Sequence, residues 1–191
     1  MGVHGRRYRG RMSRYAAFLR GMNVGGHRLT NDELRERLHA LGLRDVVTFR
    51  ASGNVVFTGG RSAPEQLRRK IEAGLADGLG YAVPTFIRTA PELLEIAARR
   101  PFTAEVLAAS RGKLQVAMLE RPPTAPTRRQ IVALAGDGER LAFGKCELYW
   151  LPSAGVLESG LDMQSIERTL GTMTMRTMGT IEQIAARHFA D

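Results

Sequence analysis

Apolar residues recur along this chain at two alternating periods, and the switches between them mark out its elements. Residues 15–19 form a short, continuous apolar run that reads as a buried strand, and a glycine-rich bend follows it. Leu34, Leu38 and Leu41 then recur at helical spacing, and Gly42 ends the helix. Its start is set by Thr30, with Glu33 three residues on to complete a capping box. Residues 45–50 and 54–58 are β-rich, and Ala51-Ser52-Gly53 between them is hairpin punctuation. A second helix is predicted from a cap at Ser62, with Glu65 completing the box and Leu67, Ile71 and Leu75 on one face. Residues 82–88 read as a fourth strand carrying Pro84 near its start, as an edge strand tolerates. Pro91 opens a helix over 92–100. The order is βαββαβ plus a helix, the split βαβ arrangement of ferredoxin-like folds.

The second half repeats this order. Strands are predicted at 113–120, 140–143, 146–151 and 172–176, with helices at 127–135, after Asp162, and at 180–188. The repeat is visible in letters too. Displaced by 88 positions, Arg88-Thr89 falls on Arg176-Thr177 and Ile96-Ala97-Ala98-Arg99 falls on Ile184-Ala185-Ala186-Arg187. The fold class is therefore α+β, two tandem ferredoxin-like subdomains each followed by a helix. The expected organisation is a basic disordered tail at 1–12, a first subdomain at 13–102, a linker at 103–112 and a second subdomain at 113–191.

Charge changes this picture less than its size suggests. The chain of 191 residues carries a formal charge of +9. Residues 1–12 hold Arg6, Arg7, Arg9 and Arg11 and no acid, leaving +5 for the remainder. Blocks of like charge rarely fold, so the segment reads as a tail or a start-site artefact with Met12 as the start; a phosphate-binding arm is the alternative. Hydrophobic residues make up 43% and charged residues 25%, an ordinary globular composition. No apolar run reaches the length of a membrane span, and the first residues lack the apolar core of a secretory signal. Cys146 stands alone, so no disulfide framework or cysteine metal site is implied. A cytoplasmic setting is expected.

Leu19-Arg20-Gly21-Met22-Asn23-Val24-Gly25-Gly26, Glu33-Leu34 and Ser52-Gly53-Asn54-Val55-Val56-Phe57 together resemble the bacterial domain-of-unknown-function family 1697. The stretch 171–180 is similar to that family's closing Thr-x-Arg-Asn segment, with Thr177 and Gly179 where asparagines are common. The resemblance covers roughly residues 13–189. It implies a tandem ferredoxin-like fold and no established reaction, and neither a cofactor nor an oligomeric state follows from it.

In a βαββαβ unit the first and third strands are adjacent and antiparallel, so the end of one lies beside the start of the other. That brings Arg20, Asn23, Gly25, Gly26, His27, Ser52 and Asn54 to one corner. A forked arginine donor, amide and hydroxyl groups, and backbone N–H groups freed by glycine suit a phosphate or carboxylate. Arg88 and Arg176 end equivalent strands and would line one cleft if the halves packed by equivalent edges. The candidate site is a small anionic ligand held by Arg20, Asn23, Gly25, Gly26, His27, Ser52, Asn54 and Arg176. A purely structural role fits the same residues: glycines turning the chain, Asn23 and Asn54 satisfying turn backbone, Arg20 paired with Asp32 or Glu33. The spacing is neither a dinucleotide fingerprint nor a phosphate-binding Gly-Lys-Ser/Thr loop. No cluster of histidines and acids has metal spacing, and no nucleophile elbow surrounds Ser52.

Nucleic acid is the second expected partner class. Ferredoxin-like sheets bind RNA through exposed aromatics on central strands, and Phe18, Phe49 and Phe57 are the candidates here. A protein–protein module is the third.

Overall fold

The structure, a computed structural model, describes residues 13–22, 29–50, 53–60 and 62–190. Among these, eight strands form two four-stranded antiparallel sheets, accompanied by seven helices. The first sheet is made of β1 (Ser13–Leu19), β2 (Arg44–Phe49), β3 (Asn54–Gly59) and β4 (Thr85–Thr89), in the order β2-β3-β1-β4. Its helices are α1 (Asn31–Ala40), α2 (Pro64–Leu79) and α3 (Ala90–Ala98). The short helix α4 (Ala104–Ala109) lies in the segment expected to be a linker, and the Thr103 hydroxyl caps it. The second sheet comprises β5 (Gln115–Leu119), β6 (Arg140–Phe143), β7 (Glu147–Leu151) and β8 (Met173–Thr177), in the equivalent order β6-β7-β5-β8. With it go α5 (Ala125–Val132), α6 (Met163–Leu170) and α7 (Met178–His188).

Burial on both faces explains why the central strands read as unbroken apolar runs rather than alternations. In β1, Tyr15, Ala17 and Leu19 join Leu34 and Leu38 of α1 and Leu67, Ile71 and Leu75 of α2 in one core. Ala16 and Phe18 point the other way. They share a central core with Val116, Met118 and Tyr149 of the second sheet, and with Leu93, Ile96, Ile181 and Ile184 of α3 and α7. A third core sets Ala117, Leu119, Leu148 and Trp150 against Ile131, Ile166 and Leu170. The two sheets thus present their inner faces, with α3 and α7, to a common interior. Burying one side chain of Phe18's size contributes about 1.5–3 kcal/mol.

The repeat in letters corresponds to equivalent positions in space. Thr89 caps α3 and Thr177 caps α7, and Leu93 and Ile181 are both fully buried. The Thr30–Glu33 box at α1 is formed in both directions. At α2 the expected cap at Ser62 is displaced: Ala63 occupies the N-cap with no side-chain bond, because Pro64 takes the first helical position. Glu65 instead accepts from Arg68 and Arg69. No helix among the described residues is long and apolar enough to cross a membrane.

Candidate functional site

The antiparallel adjacency of the first and third strands, from which the corner is expected, is present, and it brings the ends that carry Arg20 and Asn54 together. Phe18 of β1 pairs in register with Asn54 of β3, and Leu19 N–H donates to Gly53 O at 2.7 Å. Gly53 holds φ 67°, and a Cβ there would meet Leu19 O at 3.0 Å, so the two strands close tightly only with glycine at this turn.

Arg176 reaches this corner from the other half of the molecule. Its Nε donates to Asn54 Oδ1 at 2.5 Å and its Nη2 to Leu19 O at 2.8 Å. Nη1 donates to Met175 O at 2.7 Å and Thr174 Oγ1 at 2.9 Å, and the guanidinium stands 5.9 Å from the centre of the Phe18 ring. Burial disfavours its charged form and pulls its pKa down from 12.5 to about 10. Asn54, itself buried, donates Nδ2–H to Phe49 O at 3.0 Å.

Arg20 sits at the mouth of the same corner. Its Nη1 donates to the Glu167 carboxylate of α6 and to Met173 O at 3.0 Å, so its partner is neither Asp32 nor Glu33. Asp32 pairs with Arg35 and Glu33 with Thr30. The Nε and Nη2 groups of Arg20, the side-on fork of the guanidinium, have no hydrogen-bond partner among the described residues. Its side chain is 39% exposed. Asn23, Gly25, Gly26, His27 and Ser52 lie outside the described residues.

The mirror of this corner is built from the other half, with changed chemistry. Arg88 of β4 donates Nη2–H to Leu119 O at 3.1 Å and to Cys146 O at 2.9 Å, and Nε–H to Glu147 Oε1 at 3.0 Å. Leu119 ends β5 as Leu19 ends β1, and Glu147 begins β7 as Asn54 begins β3. Each half therefore sends one arginine to the strand-end carbonyl of the other. Arg88 and Arg176 do not line one cleft, as packing by equivalent edges would require; each closes its own corner. Where the first corner holds Arg20 and neutral Asn54, the second holds Glu120 and the Glu147 carboxylate. A cavity of about 380 Å³ opens at this second corner, lined by both halves.

Cys146 is half-buried there, donates to Leu119 O at 3.2 Å, and has its pKa raised by burial. The phenylalanines considered for base stacking are interior: Phe18 and Phe57 are fully buried and Phe49 nearly so. None forms an open aromatic platform.

Sequence reasoning missed Glu167, Glu120, Glu147 and Tyr149. The strand-end equivalence of Leu19-Arg20 and Leu119-Glu120 was the available signal for Glu120; Glu167 belongs to no motif.

Fold and corners together define a class, an α+β protein of two like sheets clasped by reciprocal arginines. The chain belongs to the family described as "Protein of unknown function (DUF1697)", whose model matches residues 12–149. Among solved structures it is similar to the conserved bacterial protein SP0830 from Streptococcus pneumoniae, with a TM-score of 0.66 and 23% identity. That alignment covers 92% of this chain and 98% of the other, a likeness of fold alone. No curated protein matches the chain.

Proposed function

We propose that this protein binds a small anionic ligand, a carboxylate or phosphate, at the corner formed by Arg20, Asn54 and Arg176. The observation that carries the proposal is the state of Arg20. Nη1 is tied to Glu167 and Met173 O, which fixes the guanidinium plane, while the Nε/Nη2 edge has no hydrogen-bond partner among the described residues and the side chain is 39% exposed. A fixed fork meets a planar or tetrahedral oxyanion with two parallel hydrogen bonds and loses little side-chain freedom in doing so. Asn23, Gly25, Gly26, His27 and Ser52 belong to the proposal through the adjoining bend and turn. Arg176 acts from behind: it holds Asn54 and Leu19 in place and adds positive potential from a desolvated position.

The same proposal takes each half as a ferredoxin-like βαββαβ unit, at 13–102 and 113–191, with 103–112 joining them. The strand orders β2-β3-β1-β4 and β6-β7-β5-β8 support it, as do the equivalent Thr89 and Thr177 caps.

Titration of the full chain with inorganic phosphate and with acetate, followed by calorimetry, tests the site. Saturable binding that Arg20→Ala abolishes supports it. Binding unaffected by Arg20→Ala, or no binding in the millimolar range, refutes it.

A further inference from the structure

A basic face runs along the outer side of α7 and the strands beneath it. Ile181, Ile184, Ala185 and Phe189 of α7 are buried with Ala16, Phe49 and Val56 of the first sheet, which turns Gln183 and Arg187 outward. Arg50, one residue past β2, donates Nη2–H to Gln183 Oε1 at 3.0 Å. Its guanidinium carbon lies 5.6 Å from the centre of the Phe49 ring, and that of Arg187 lies 5.4 Å from the same centre. Two guanidiniums therefore share one nearly buried phenyl ring. Arg14 of β1 donates Nη1–H at 2.6 Å to the carbonyl of His188, the residue after Arg187.

These three arginines are exposed, and none has a carboxylate partner among the described residues. β1 and β3 contain no acid. The one acid of α7, Glu182, is engaged by Arg100 at 3.5 Å, and Asp45 of β2 pairs with none of the three. The His188 imidazole registers the resulting field: burial first, then the Arg14 and Arg187 charges, lower its pKa. Like charges gathered on one face repel and weaken the fold. A cluster without counter-charge therefore calls for a partner that supplies it.

The face is elongated. Arg14 and Phe18 lie four residues apart on β1, and Phe49 reaches the Phe18 row through Asn54, so the positions carrying these arginines span about 13 Å. Residues 1–12, with Arg6, Arg7, Arg9 and Arg11, join β1 at Ser13, next to Arg14. Four more cations thus enter the chain at one end of the same face.

We propose that this face binds single-stranded nucleic acid, with Arg14, Arg50 and Arg187 as its contacts. A polyanion answers several separated cations at once, which one small anion does not. A guanidinium meets a phosphate with its edge and stacks a base on its plane. The arginines thereby supply what Phe18, Phe49 and Phe57, being interior, do not. Phe49 serves from below, as the ring that holds two of them in place. Paired bases in a duplex are closed to such stacking, so the single strand is the form this face fits.

Fluorescence anisotropy of a labelled oligouridylate of about 16 nucleotides, titrated with the full chain, tests the face. Binding is expected at low salt with Kd of about 1–100 μM. A duplex of equal length is expected to bind at least about fivefold more weakly. Arg50→Gln combined with Arg187→Gln is expected to weaken the oligouridylate at least about tenfold. The slope of log affinity against log salt should fall by about 1.4, because each phosphate contact to a single strand contributes about 0.7. Arg121→Gln combined with Arg129→Gln removes the same charge from exposed positions outside this face, and is expected to leave that slope unchanged. Arg14→Gln serves if the first variant fails to fold. Absence of binding, equal loss in the two double variants, or equal affinity for the duplex would overturn the assignment. So would tighter binding to phosphatidylserine vesicles, or binding that survives the Arg50 and Arg187 replacements and disappears on deletion of residues 1–12.

Discussion

Arg88 and Glu147, 59 residues apart in sequence, form a buried ion pair across the two halves, with Nε 3.0 Å from Oε1 and both side chains under one-tenth exposed. Two further Arg88 donors reach the carbonyls of Leu119 and Cys146, and Cys146 N–H donates to the second Glu147 oxygen at 3.1 Å. The pair is thus satisfied at both ends. Removing one partner strands the other charge in the interior, whereas removing both can be nearly neutral. Glu147→Ala is expected to lower unfolding free energy by about 3–5 kcal/mol, while Arg88→Met combined with Glu147→Leu recovers most of the loss. Urea midpoints decide this; a Glu147→Ala loss below about 1 kcal/mol contradicts it.

Arg20 and Glu167 are a contrasting pair, with side chains 39% and 31% exposed. Exposed pairs of this kind contribute about 0–1 kcal/mol. Arg20→Ala is therefore expected to shift the thermal midpoint little while abolishing phosphate binding. A large loss of stability without loss of binding would reverse the assignment of Arg20 from ligand contact to structural tie.

Gly53 offers a backbone test of the same corner. Its φ of 67° is costly for a residue with a Cβ, by about 1–2 kcal/mol, and an added Cβ would lie 3.0 Å from Leu19 O. Gly53→Ala is expected to destabilise by at least that amount and to weaken phosphate binding by displacing Leu19 and Arg20. Thermal denaturation at a melting midpoint equal to the parent's would count against the tight closure of the corner.

Glu65 sets an acid limb. Hydrogen bonding to Arg68 carries its pKa from 4.5 down to about 2. A carboxylate depressed in the folded state stabilises above the unfolded value and loses that contribution as pH falls through the folded one. Stability is expected to decline between pH 4.5 and about 2, and Glu65→Gln to flatten part of that decline. Urea midpoints measured across this window for both proteins provide the check; parallel curves would exclude the contribution.

Local chemistry was legible where it acts over a few residues. Thr30 and Glu33 satisfy each other three positions apart, and that spacing is written in the chain. At Ser62 the same logic misplaces the cap by one residue, because Pro64 decides where the helix begins. The adjacency of Arg20 and Asn54 was legible because strand order determines it. Glu167 was not: it lies 147 positions from Arg20, and only the packing of α6 beside the β1 end brings them together. The Arg88 and Arg176 equivalence showed in the letters, but where each arginine ends depends on how the two sheets face each other. The fate of Phe18 and Phe49 turned on the same fact, since a strand pattern does not reveal whether its second face meets water or another sheet.

The reciprocal arginines bear on what the peptide link through α4 is for. Each half donates a cation to the other's strand end, and α3 and α7 lie in an interior that neither half completes alone. A backbone nick near Ser110 would cut the tether and leave this mutual grip in place. The two fragments, made separately and mixed, would then recombine as a one-to-one heterodimer.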